Sequence, residues 1–376
     1  MRPLRILYLM DALRQGEEAG GTEAQFGHLM AHLDRRRFDP HLAVFRATRY
    51  MERLSALECP VSVLHIDSLA RPAAAWKLLR LAAFVRDGGF DLVHIFFTDA
   101  SIAGPAFCRA AGARVIVSRR DMGFWYTRAT LGALRVSNLF VDRMIANSEA
   151  VRQNVHQRER YPLDRTVVCC NGHDPARFQT TPLPGFRARL GLAETDPVVG
   201  MVANFNPWKR HLDLIRAFAQ VRRRHSRAHL VLVGGGPTEE SRTEAARLGL
   251  AEVVHFLGPV ADVVPVLHHF DVAVLCSESE GSSNAVIEYL ACGKPVVCTN
   301  VGGNAELVRE GETGFLLDPG NVPALADGIS RLLEDRRLRE QMGTRARGVA
   351  ARMTIKQMAD SHMSLYTQLA ARPLAS

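Results

Sequence analysis

The sequence predicts an α/β protein made of two doubly wound domains, each with a parallel sheet between layers of helices. Three observations support this prediction. Short apolar runs alternate with helical patterns, one strand–helix unit takes roughly 20–30 residues, and the chain of 376 residues is long enough for two hydrophobic cores. Ligands of such sheets bind outside the carboxyl ends of the strands, so we expect the site in a cleft between two facing domains.

The predicted strands are short runs rich in Val, Ile and Leu, as is typical of strands that are buried on both faces. In the first half of the chain they cover residues 6–10, 42–45, 61–66, 92–97, 115–118, 144–147 and 166–170. In the second half they cover residues 198–203, 230–233, 253–256, 272–276 and 295–298.

Amphipathic segments between these runs predict helices. The clearest cover residues 22–33, 73–85, 212–221, 285–292 and 354–369. In the first of them, Thr22 and Gln25 have the spacing of a capping box. The alternation stops near residues 180–185, where two prolines and a glycine predict a linker. We therefore expect domains over residues 1–178 and 179–352, followed by a final helical segment over 353–376.

Composition excludes several classes of protein. Hydrophobic residues make up 47% of the chain and charged residues 23%, as in ordinary globular proteins. No apolar stretch approaches the roughly 18 residues of a spanning helix. The start of the chain lacks a secretory pattern. The chain has seven cysteines, an odd number, and no Cys-x-x-Cys motif. This favours a protein of the reducing cytosol over a disulfide framework or a zinc site.

Positive charge is concentrated in the first half. Residues 1–180 contain 25 basic and 18 acidic side chains, whereas the remainder contains 22 and 21. This asymmetry suggests an anionic partner for the first half. Within it, residues 72–86 combine an apolar face with Trp76 and several basic side chains. The segment fits a helix lying on an anionic membrane surface, and it also fits an ordinary surface helix packed on the sheet.

The strongest functional pattern lies in residues 279–297. A buried strand ends in a loop with Glu280, and a helix follows with Ser283 or Asn284 as its N-cap. Glu288 lies about one turn into that helix. Because N–H groups at a helix start bind anions, a carboxylate, a phosphate site and a second carboxylate follow in order. This order suits a ligand with a sugar, a diphosphate and a ribose, although the dipole alone also favours acidic residues at a helix start.

This segment resembles the Glu-x7-Glu signature of retaining family-4 glycosyltransferases, which have the GT-B fold. The family pattern EGxxNxxxEAMACGxPVV is matched almost position for position, with Tyr289-Leu290 in place of the more common Ala-Met. The similarity extends along nearly the whole chain, through residues 20–23, 147–148, 171–174, 204–209, 233–237, 256–258, 302–307 and 314–319. It implies two Rossmann-like domains facing a central cleft, with the last helix crossing back to the first domain.

The resemblance also implies roles for individual residues. Glu280 would contact the donor sugar and Glu288 the ribose hydroxyls. Lys209, one of only four lysines in the chain, would bind the donor diphosphate, and Asn204 stands where relatives usually have an arginine. The catalytic residues implied are thus Glu280 and Lys209. The donor-binding residues implied are Glu288, Asn204, Gly281, Ser282, Ser283, Asn284 and Gly21.

No metal ion and no cofactor are expected. The chain has no pair of aspartates two positions apart, and such a pair usually holds the divalent ion of a nucleotide-sugar enzyme. In its absence Lys209 could stabilise the leaving diphosphate. A solvated basic turn is the alternative, but a cation at a helix start opposes the dipole, which favours a bound anion there.

On the acceptor side the candidates are His94, within one predicted strand, and Arg119, Arg120 and Asp121, at the end of the next. Many relatives have a second histidine two positions after His94, where this chain has Phe96. His94 therefore also fits a histidine packed inside the sheet. Residues 119–121 equally fit a solvated turn.

Together these features predict a retaining glycosyltransferase. It would move a sugar from a nucleotide-diphosphate sugar, with uridine favoured by family frequency, to a glycan or lipid-linked saccharide in cell-surface polysaccharide or glycoconjugate synthesis. We expect a cytoplasmic protein, with peripheral association at the inner face of the cytoplasmic membrane as an open question. The alternatives are a nucleotide-sugar epimerase of the same fold and a non-catalytic nucleotide-sugar-binding relative.

Two other functions are disfavoured. A nucleic-acid partner is not expected, because the arginines are dispersed and no recognised binding module is present. A dinucleotide-dependent oxidoreductase is also disfavoured. Glu239 occupies the third glycine position of the fingerprint that begins at residue 234.

Overall fold

A computed structural model of the protein describes residues 2–13, 20–48 and 57–371. The chain divides into two compact units, which we call unit 1 and unit 2. Unit 1 comprises Met1–Gly172 and Ile355–Ser376, and unit 2 comprises His173–Thr354. The first boundary falls six residues before the expected one, because the N–H of His173 donates to the Met353 carbonyl at 2.9 Å and fixes this segment within unit 2.

Unit 1 contains a parallel sheet that, among the described residues, has seven strands. They are β1 (Leu4–Met10), β2 (Phe38–Val44), β3 (Val61–Val63), β4 (Leu92–Ile95), β5 (Arg114–Arg119), β6 (Arg143–Ala146) and β7 (Thr166–Val168). The order across the sheet is β3-β2-β1-β4-β5-β6-β7, so the direction of winding reverses between β1 and β4. The helices that connect them are α1 (Gly21–His32), α2 (Ala73–Asp87), α3 (Thr98–Ala110), α4 (Arg128–Ser137) and α5 (Glu149–Asn154).

Unit 2 repeats this architecture with a six-stranded parallel sheet. Its strands are β8 (Val198–Val202), β9 (His229–Val233), β10 (Val254–Gly258), β11 (Val272–Leu275), β12 (Val296–Thr299) and β13 (Gly314–Leu317), in the order β10-β9-β8-β11-β12-β13. The winding reverses between β8 and β11. Its helices are α6 (Phe186–Arg189), α7 (His211–Arg224), α8 (Glu239–Arg247), α9 (Val264–Leu267), α10 (Asn284–Ala291), α11 (Asn304–Leu307), α12 (Val322–Glu334) and α13 (Arg336–Ala350).

The last helix, α14 (Ile355–Ala370), belongs to unit 1 although it follows unit 2 in the sequence. Its apolar face, with Met358 and Leu365, is buried in the same core cluster as Ile6 and Tyr8 of β1. It packs against α1, which covers the same side of the sheet. Burial of this face is the driving force for α14 to fold onto unit 1.

The predicted α/β architecture is confirmed, and each of the twelve predicted strands overlaps a strand of the structure. The additional strand is β13, which is only four residues long and begins with a glycine. A side chain at Gly314 would place Cβ 1.9 Å from the Val296 carbonyl oxygen, so close pairing with β12 requires glycine there.

The predicted capping box at the start of α1 is wrong. The helix begins one residue earlier, and the Glu23 carboxylate accepts a hydrogen bond from the N–H of Gly20 at 3.1 Å. Gln25 instead contacts Gly172, the last residue of the first chain segment of unit 1. Its side-chain amide donates to the Gly172 carbonyl and accepts from the Gly172 N–H, both at 2.9 Å.

No helix in the described ranges has both the length and the apolar character that crossing a bilayer requires.

Candidate active site

Two loops at the switch point of unit 2 bring opposite charges together. One loop follows β8 and carries Lys209, and the other follows β11 and carries Glu280. The Lys209 ammonium donates to Glu280 Oε1 at 2.5 Å, and the two side chains are 21% and 10% exposed. Strands β8 and β11 are neighbours, and ligands of doubly wound folds bind at this point of the sheet.

The loop that presents Lys209 is held in a fixed shape. Pro207 begins a single 3-10 turn that ends at Lys209. The next residue, Arg210, has a φ of 55°, in the left-handed region that side chains other than glycine rarely adopt. The N–H of Glu278 donates to the Trp208 carbonyl at 2.7 Å, which links this loop to the one that carries Glu280. A strained backbone held by its neighbours is typical of functional loops.

Asn204 takes part in a second contact between loops. Its side chain is exposed, and its Oδ1 accepts a hydrogen bond from the N–H of Gly235 at 3.0 Å. The backbones approach so closely here that a Cβ on Gly234 would lie 2.1 Å from the Ala203 carbonyl oxygen. Asn204 therefore holds together two turns beside Lys209, and it supplies no positive charge.

The start of α10 provides a helix N-terminus beside Glu280. Ser283 is the N-cap, and its Oγ accepts from the N–H of Val286 at 3.3 Å. The loop before it is anchored by a hydrogen bond from the N–H of Gly303 to the Gly281 carbonyl at 3.0 Å. Ser282 and the first helical residue, Asn284, are half-buried. The positive end of the helix dipole thus lies where anions are stabilised.

Glu288, in the second turn of α10, is paired with Arg177. The Arg177 guanidinium donates to Glu288 Oε1 at 2.8 Å, and only 18% of the Glu288 side chain is exposed. Burial raises the pKa of Glu288 above its usual value, and the charge and hydrogen bond of Arg177 oppose that rise. The guanidinium also binds Asp262 Oδ1 at 2.7 Å.

Tyr289 lies beneath the site and is fully buried. Its hydroxyl accepts a hydrogen bond from the N–H of Val202 at 2.6 Å and donates to the Val274 carbonyl at 3.3 Å. These two backbone groups belong to β8 and β11, the strands that precede the loops of Lys209 and Glu280. Burial raises the pKa of Tyr289 far above its usual value, so the hydroxyl stays protonated.

Comparison with known proteins identifies relatives of both units. Residues 184–349 match the family described as glycosyl transferases group 1, and residues 19–177 match glycosyltransferase family 4. A mannosyltransferase of Mycolicibacterium smegmatis is 31% identical over 303 residues, which cover 74% of this chain and 76% of that protein. Its full description is GDP-mannose-dependent alpha-(1-6)-phosphatidylinositol monomannoside mannosyltransferase.

The chain belongs to glycosyltransferase family 4.

Other proteins are similar to this chain over shorter or longer stretches. A D-inositol 3-phosphate glycosyltransferase of Nocardia farcinica is 34% identical over 236 residues, which cover 60% of this chain and 52% of that protein. The matches to the first curated relatives span about half of their length, from 42% to 55%. Anabaena HepE, solved in complex with UDP, is 25% identical with a TM-score of 0.85, and the match covers 97% of this chain and all of HepE.

In unit 1 of this family-4 chain, two acceptor-side candidates form contacts just beyond the carboxyl end of β5. The guanidinium of Arg120 donates to the Asn171 side chain at 2.5 Å, and burial lowers its pKa to about 10. The Asp121 carboxylate accepts from the N–H of Gly123 at 2.7 Å and from the Trp125 indole at 3.1 Å, which closes a turn. The donor-side candidate Gly21 is the exposed first residue of α1.

The other two acceptor-side candidates are buried inside unit 1. His94 bonds to the Tyr366 hydroxyl and to the Ser118 hydroxyl, both at 2.8 Å, and burial lowers its pKa well below the usual value. Arg119 forms two hydrogen bonds with Glu159, at 2.8 and 3.0 Å. Both side chains therefore support the carboxyl ends of β4 and β5 from within.

Sequence reasoning missed two charged residues, Arg177 and Asp11. Arg177 lies where the sequence suggested only the approach to a linker. Asp11, directly after β1, accepts hydrogen bonds from the N–H groups of Asp99 and Ala100 at 3.0 and 2.6 Å. Burial raises the pKa of Asp11 to about 6, although these bonds lower it. The position of Asp11 at a strand end was the signal that could have revealed it.

Within residues 2–13, 20–48 and 57–371, no cluster of three or more His, Cys, Asp or Glu side chains is arranged to hold a metal ion. Metal independence stays a prediction.

Proposed function

We propose that the chain is a retaining glycosyltransferase that moves a sugar from a nucleotide-diphosphate sugar to a saccharide acceptor. The observation that carries this proposal is the pair between Lys209 and Glu280 beside the start of α10, with Glu288 one turn further on. In this proposal unit 2 binds the donor, and unit 1 binds the acceptor.

Lys209 supplies positive charge to the leaving diphosphate. A phosphate charge about 4 Å from an ammonium group gains about 4 kcal/mol at an effective dielectric constant of 20. That charge grows as the bond to the sugar breaks, so the interaction favours the transition state over the ground state. The N-terminus of α10 adds to the same field. Glu280, paired with Lys209, is held next to the phosphate and accepts hydrogen bonds from the donor sugar.

Retention follows from attack on the face from which the diphosphate departs. The acceptor hydroxyl forms a new bond to the anomeric carbon while the bond from that carbon to the diphosphate oxygen breaks. The hydroxyl proton goes to the departing phosphate oxygen. The products are a glycoside of unchanged anomeric configuration and a nucleoside diphosphate, and no metal ion takes part.

A uridine diphosphate sugar is the donor we favour. HepE, which matches 97% of the chain, has been solved with UDP and with UDP-glucose. The acceptor is a glycan or a lipid-linked saccharide of cell-surface polysaccharide or glycoconjugate synthesis. The names of two relatives include an inositol phosphate and a phosphatidylinositol mannoside, both anionic, and the basic first half of this chain suits such a charge.

A panel of UDP-, GDP- and ADP-sugars tests the donor. A ligand at 100 times its dissociation constant should stabilise the protein by about 2.7 kcal/mol, which a thermal-shift measurement detects. We expect the UDP-sugars to give the shift, and a shift only with GDP- or ADP-sugars would correct the base. Incubation with the donor alone should not change its sugar, whereas an epimerase would. Binding without transfer to any acceptor would support a non-catalytic relative.

Substitution of the two carboxylates tests the site. Glu288→Ala removes a carboxylate that accepts hydrogen bonds from the ligand's hydroxyl groups. Donor binding should weaken by about 1.5–3 kcal/mol, or roughly tenfold to a hundredfold. Glu280→Ala should depress turnover with a smaller effect on donor affinity. The control is Glu334→Ala, whose side chain is 59% exposed at the end of α12. Unchanged donor kinetics in both site variants would reject the assignment.

The outer surface of unit 1 supports a further proposal, contact with an anionic bilayer. Helix α3 packs against both α2 and α4, so these helices form one layer. On α2, Trp76 and Leu79 are each 61% exposed. On α4 and the turn after it, Val136 and Leu139 are 62% and 79% exposed. Between residues 76 and 140 the exposed charged side chains are four arginines and one aspartate: Arg80, Arg86, Asp87, Arg128 and Arg135.

Apolar side chains surrounded by arginine suit a negatively charged lipid surface. We expect the protein to sediment with vesicles that contain phosphatidylglycerol, and not with pure phosphatidylcholine. Leu139→Glu and Trp76→Glu should each reduce sedimentation, while donor affinity stays unchanged. Equal binding to both kinds of vesicle, or none to either, would reject the proposal. Dimerisation that is lost in the same variants would assign the surface to a second copy instead.

A further inference from the structure

Arg177 is a cation shared between two carboxylates. Its Nη1 donates to Glu288 Oε1 at 2.8 Å. Its Nε and Nη2 donate to a single oxygen of Asp262, at 3.1 and 2.7 Å. No described residue donates a hydrogen bond to the second oxygen of Glu288, Oε2. The guanidinium thus occupies one side of the Glu288 carboxylate and leaves the other side for a ligand.

Arg177 and its partner Asp262 are both held in place by neighbouring backbone groups. Arg177 lies in the 3-10 turn Pro175–Gln179, whose N-cap Asp174 accepts from the N–H of Ala176 at 2.9 Å. The imidazole of the preceding His173 bonds to the Ala350 carbonyl at 2.8 Å. Asp262 accepts from the N–H of Val264 at 3.1 Å, at the start of α9. Arg177 is therefore presented by an ordered segment.

The charge of Arg177 compensates a carboxylate that burial disfavours. Moving an ionised carboxylate out of water is unfavourable unless a partner neutralises it. Burial raises the pKa of Glu288 and Arg177 lowers it, while the nearby Asp262 adds to the rise. Two neighbours on or near α10, Tyr289 and Cys292, have raised pKa values and stay neutral near pH 7. From α13, which packs against α10, the Arg347 guanidinium donates to the Cys292 carbonyl at 3.4 Å.

We propose that Arg177 is a positioning residue for donor binding, which keeps Glu288 ionised and directs Oε2 towards the hydroxyl groups of the ligand. This inference depends on the proposed function, in which Glu288 accepts hydrogen bonds from the donor ribose. Arg177 itself does not touch the ligand. An ionised carboxylate forms hydrogen bonds about twice as strong as a neutral group, so the state of Glu288 sets donor affinity.

The test is the pH dependence of nucleoside diphosphate binding, measured by calorimetry from pH 5.5 to 8.5 with the nucleotide that the panel selects. Without the guanidinium the pKa of Glu288 rises further, and its protonated fraction increases as the pH falls. Arg177→Met should therefore bind about tenfold more weakly at pH 6, with recovery towards pH 8.5. Arg177→Lys retains a cation, so its profile should lie between those of Arg177→Met and the unchanged protein.

Glu288→Gln separates this inference from the proposed function. Its affinity should be low, and because no titrating group remains at that position, its pH profile reports only the terminal phosphate of the nucleotide and serves as the baseline for the other variants. If Glu288→Gln binds as tightly as the unchanged protein, the role of Glu288 in the proposed function fails. If Glu288→Gln binds weakly while Arg177→Met keeps the affinity and pH profile of the unchanged protein, the role of Arg177 is overturned.

A double variant covers the case in which Arg177→Met does not fold. Arg177→Met combined with Glu288→Gln leaves no buried carboxylate uncompensated, so we expect it to fold and to bind like Glu288→Gln alone. If the double variant binds about tenfold more weakly than Glu288→Gln, Arg177 acts on the ligand independently of Glu288. That result would also overturn the inference.

Discussion

At the scale of single residues, burial decides which of the candidate side chains in unit 1 are available to a ligand. Arg119 directly follows one predicted strand and His94 lies within another, near the strand ends where the chemistry of a doubly wound fold is expected. The structure gives Arg119 a partner 40 residues later, Glu159, and gives His94 a partner on the last helix, Tyr366. Such partners are set by packing over long separations, which a local pattern does not reveal.

The Arg119–Glu159 pair leads to a prediction about stability. Both side chains are almost fully buried, and the pair lowers the pKa of Glu159 against the effect of burial. Arg119→Met leaves that carboxylate without its counter-charge, and the loss should be about 3–5 kcal/mol in the free energy of unfolding. Urea denaturation followed by circular dichroism measures it.

The matched control for this prediction is the double variant in which Glu159→Gln accompanies Arg119→Met. It removes the unpaired charge, so most of the lost stability should return. Equal destabilisation in the single and double variants would show that lost packing, and not the charge, is responsible.

At the scale of elements, the Tyr289 hydroxyl links two strands of the unit 2 sheet where their backbone pairing ends. Strands β8 and β11 pair only at Val199–Val272 and Gly200–Ala273, after which they diverge. Beyond that point the hydroxyl of Tyr289 bonds to one backbone group of each strand. This chain therefore uses a side chain where the ladder of backbone hydrogen bonds ends.

Tyr289→Phe should therefore loosen this part of the sheet. It leaves the Val202 N–H and the Val274 carbonyl unpaired in a buried place, which costs about 1–3 kcal/mol. Hydrogen exchange should become faster at the Val202 amide and stay unchanged at the Val199 amide, which lies in the paired part of β8.

A second tyrosine offers a control for this prediction. The hydroxyl of Tyr161 donates to the Val141 carbonyl at 3.1 Å in unit 1. Tyr161→Phe should destabilise the protein without affecting exchange in β8. Unchanged exchange at Val202 in Tyr289→Phe would contradict the role of the hydroxyl.

At the scale of the whole molecule, buried histidines make stability depend on pH in both units. His362 of unit 1 and His211 of unit 2 are 1% and 4% exposed, and burial lowers both pKa values to about 4. The unfolded chain titrates near 6.5 and so binds more protons between these values. The stability associated with these neutral histidines is therefore fully present above about pH 6.5 and is lost as the pH falls towards 4.

Each of these histidines should cost about 2 kcal/mol of stability at pH 5 compared with pH 8. Urea denaturation at pH 5, 6, 7 and 8 measures the slope. His362→Phe keeps a ring at the position without a titrating group, so its stability should fall less steeply with acid. A slope identical to that of the unchanged protein would contradict the buried, neutral state of His362.

The sequence alone determined the class of fold and the two loops of the candidate site, which carry Lys209 and Glu280. Short apolar runs and helical patterns are local, and they were sufficient for twelve strands and for the order of the two units. The Glu280–Glu288 segment was also visible, because a strand end, a loop and a helix cap are consecutive in the chain.

Tertiary structure decided which side chains meet. Arg177 reaches Glu288 across 111 residues, and Lys209 reaches Glu280 across 71. The packing of α14 on unit 1 and the burial of His94 likewise depend on one another, because Tyr366 of α14 is a hydrogen-bond partner of His94. These contacts depend on the three-dimensional path of the chain and on the exclusion of water from its interior, and neither is encoded in residue spacing.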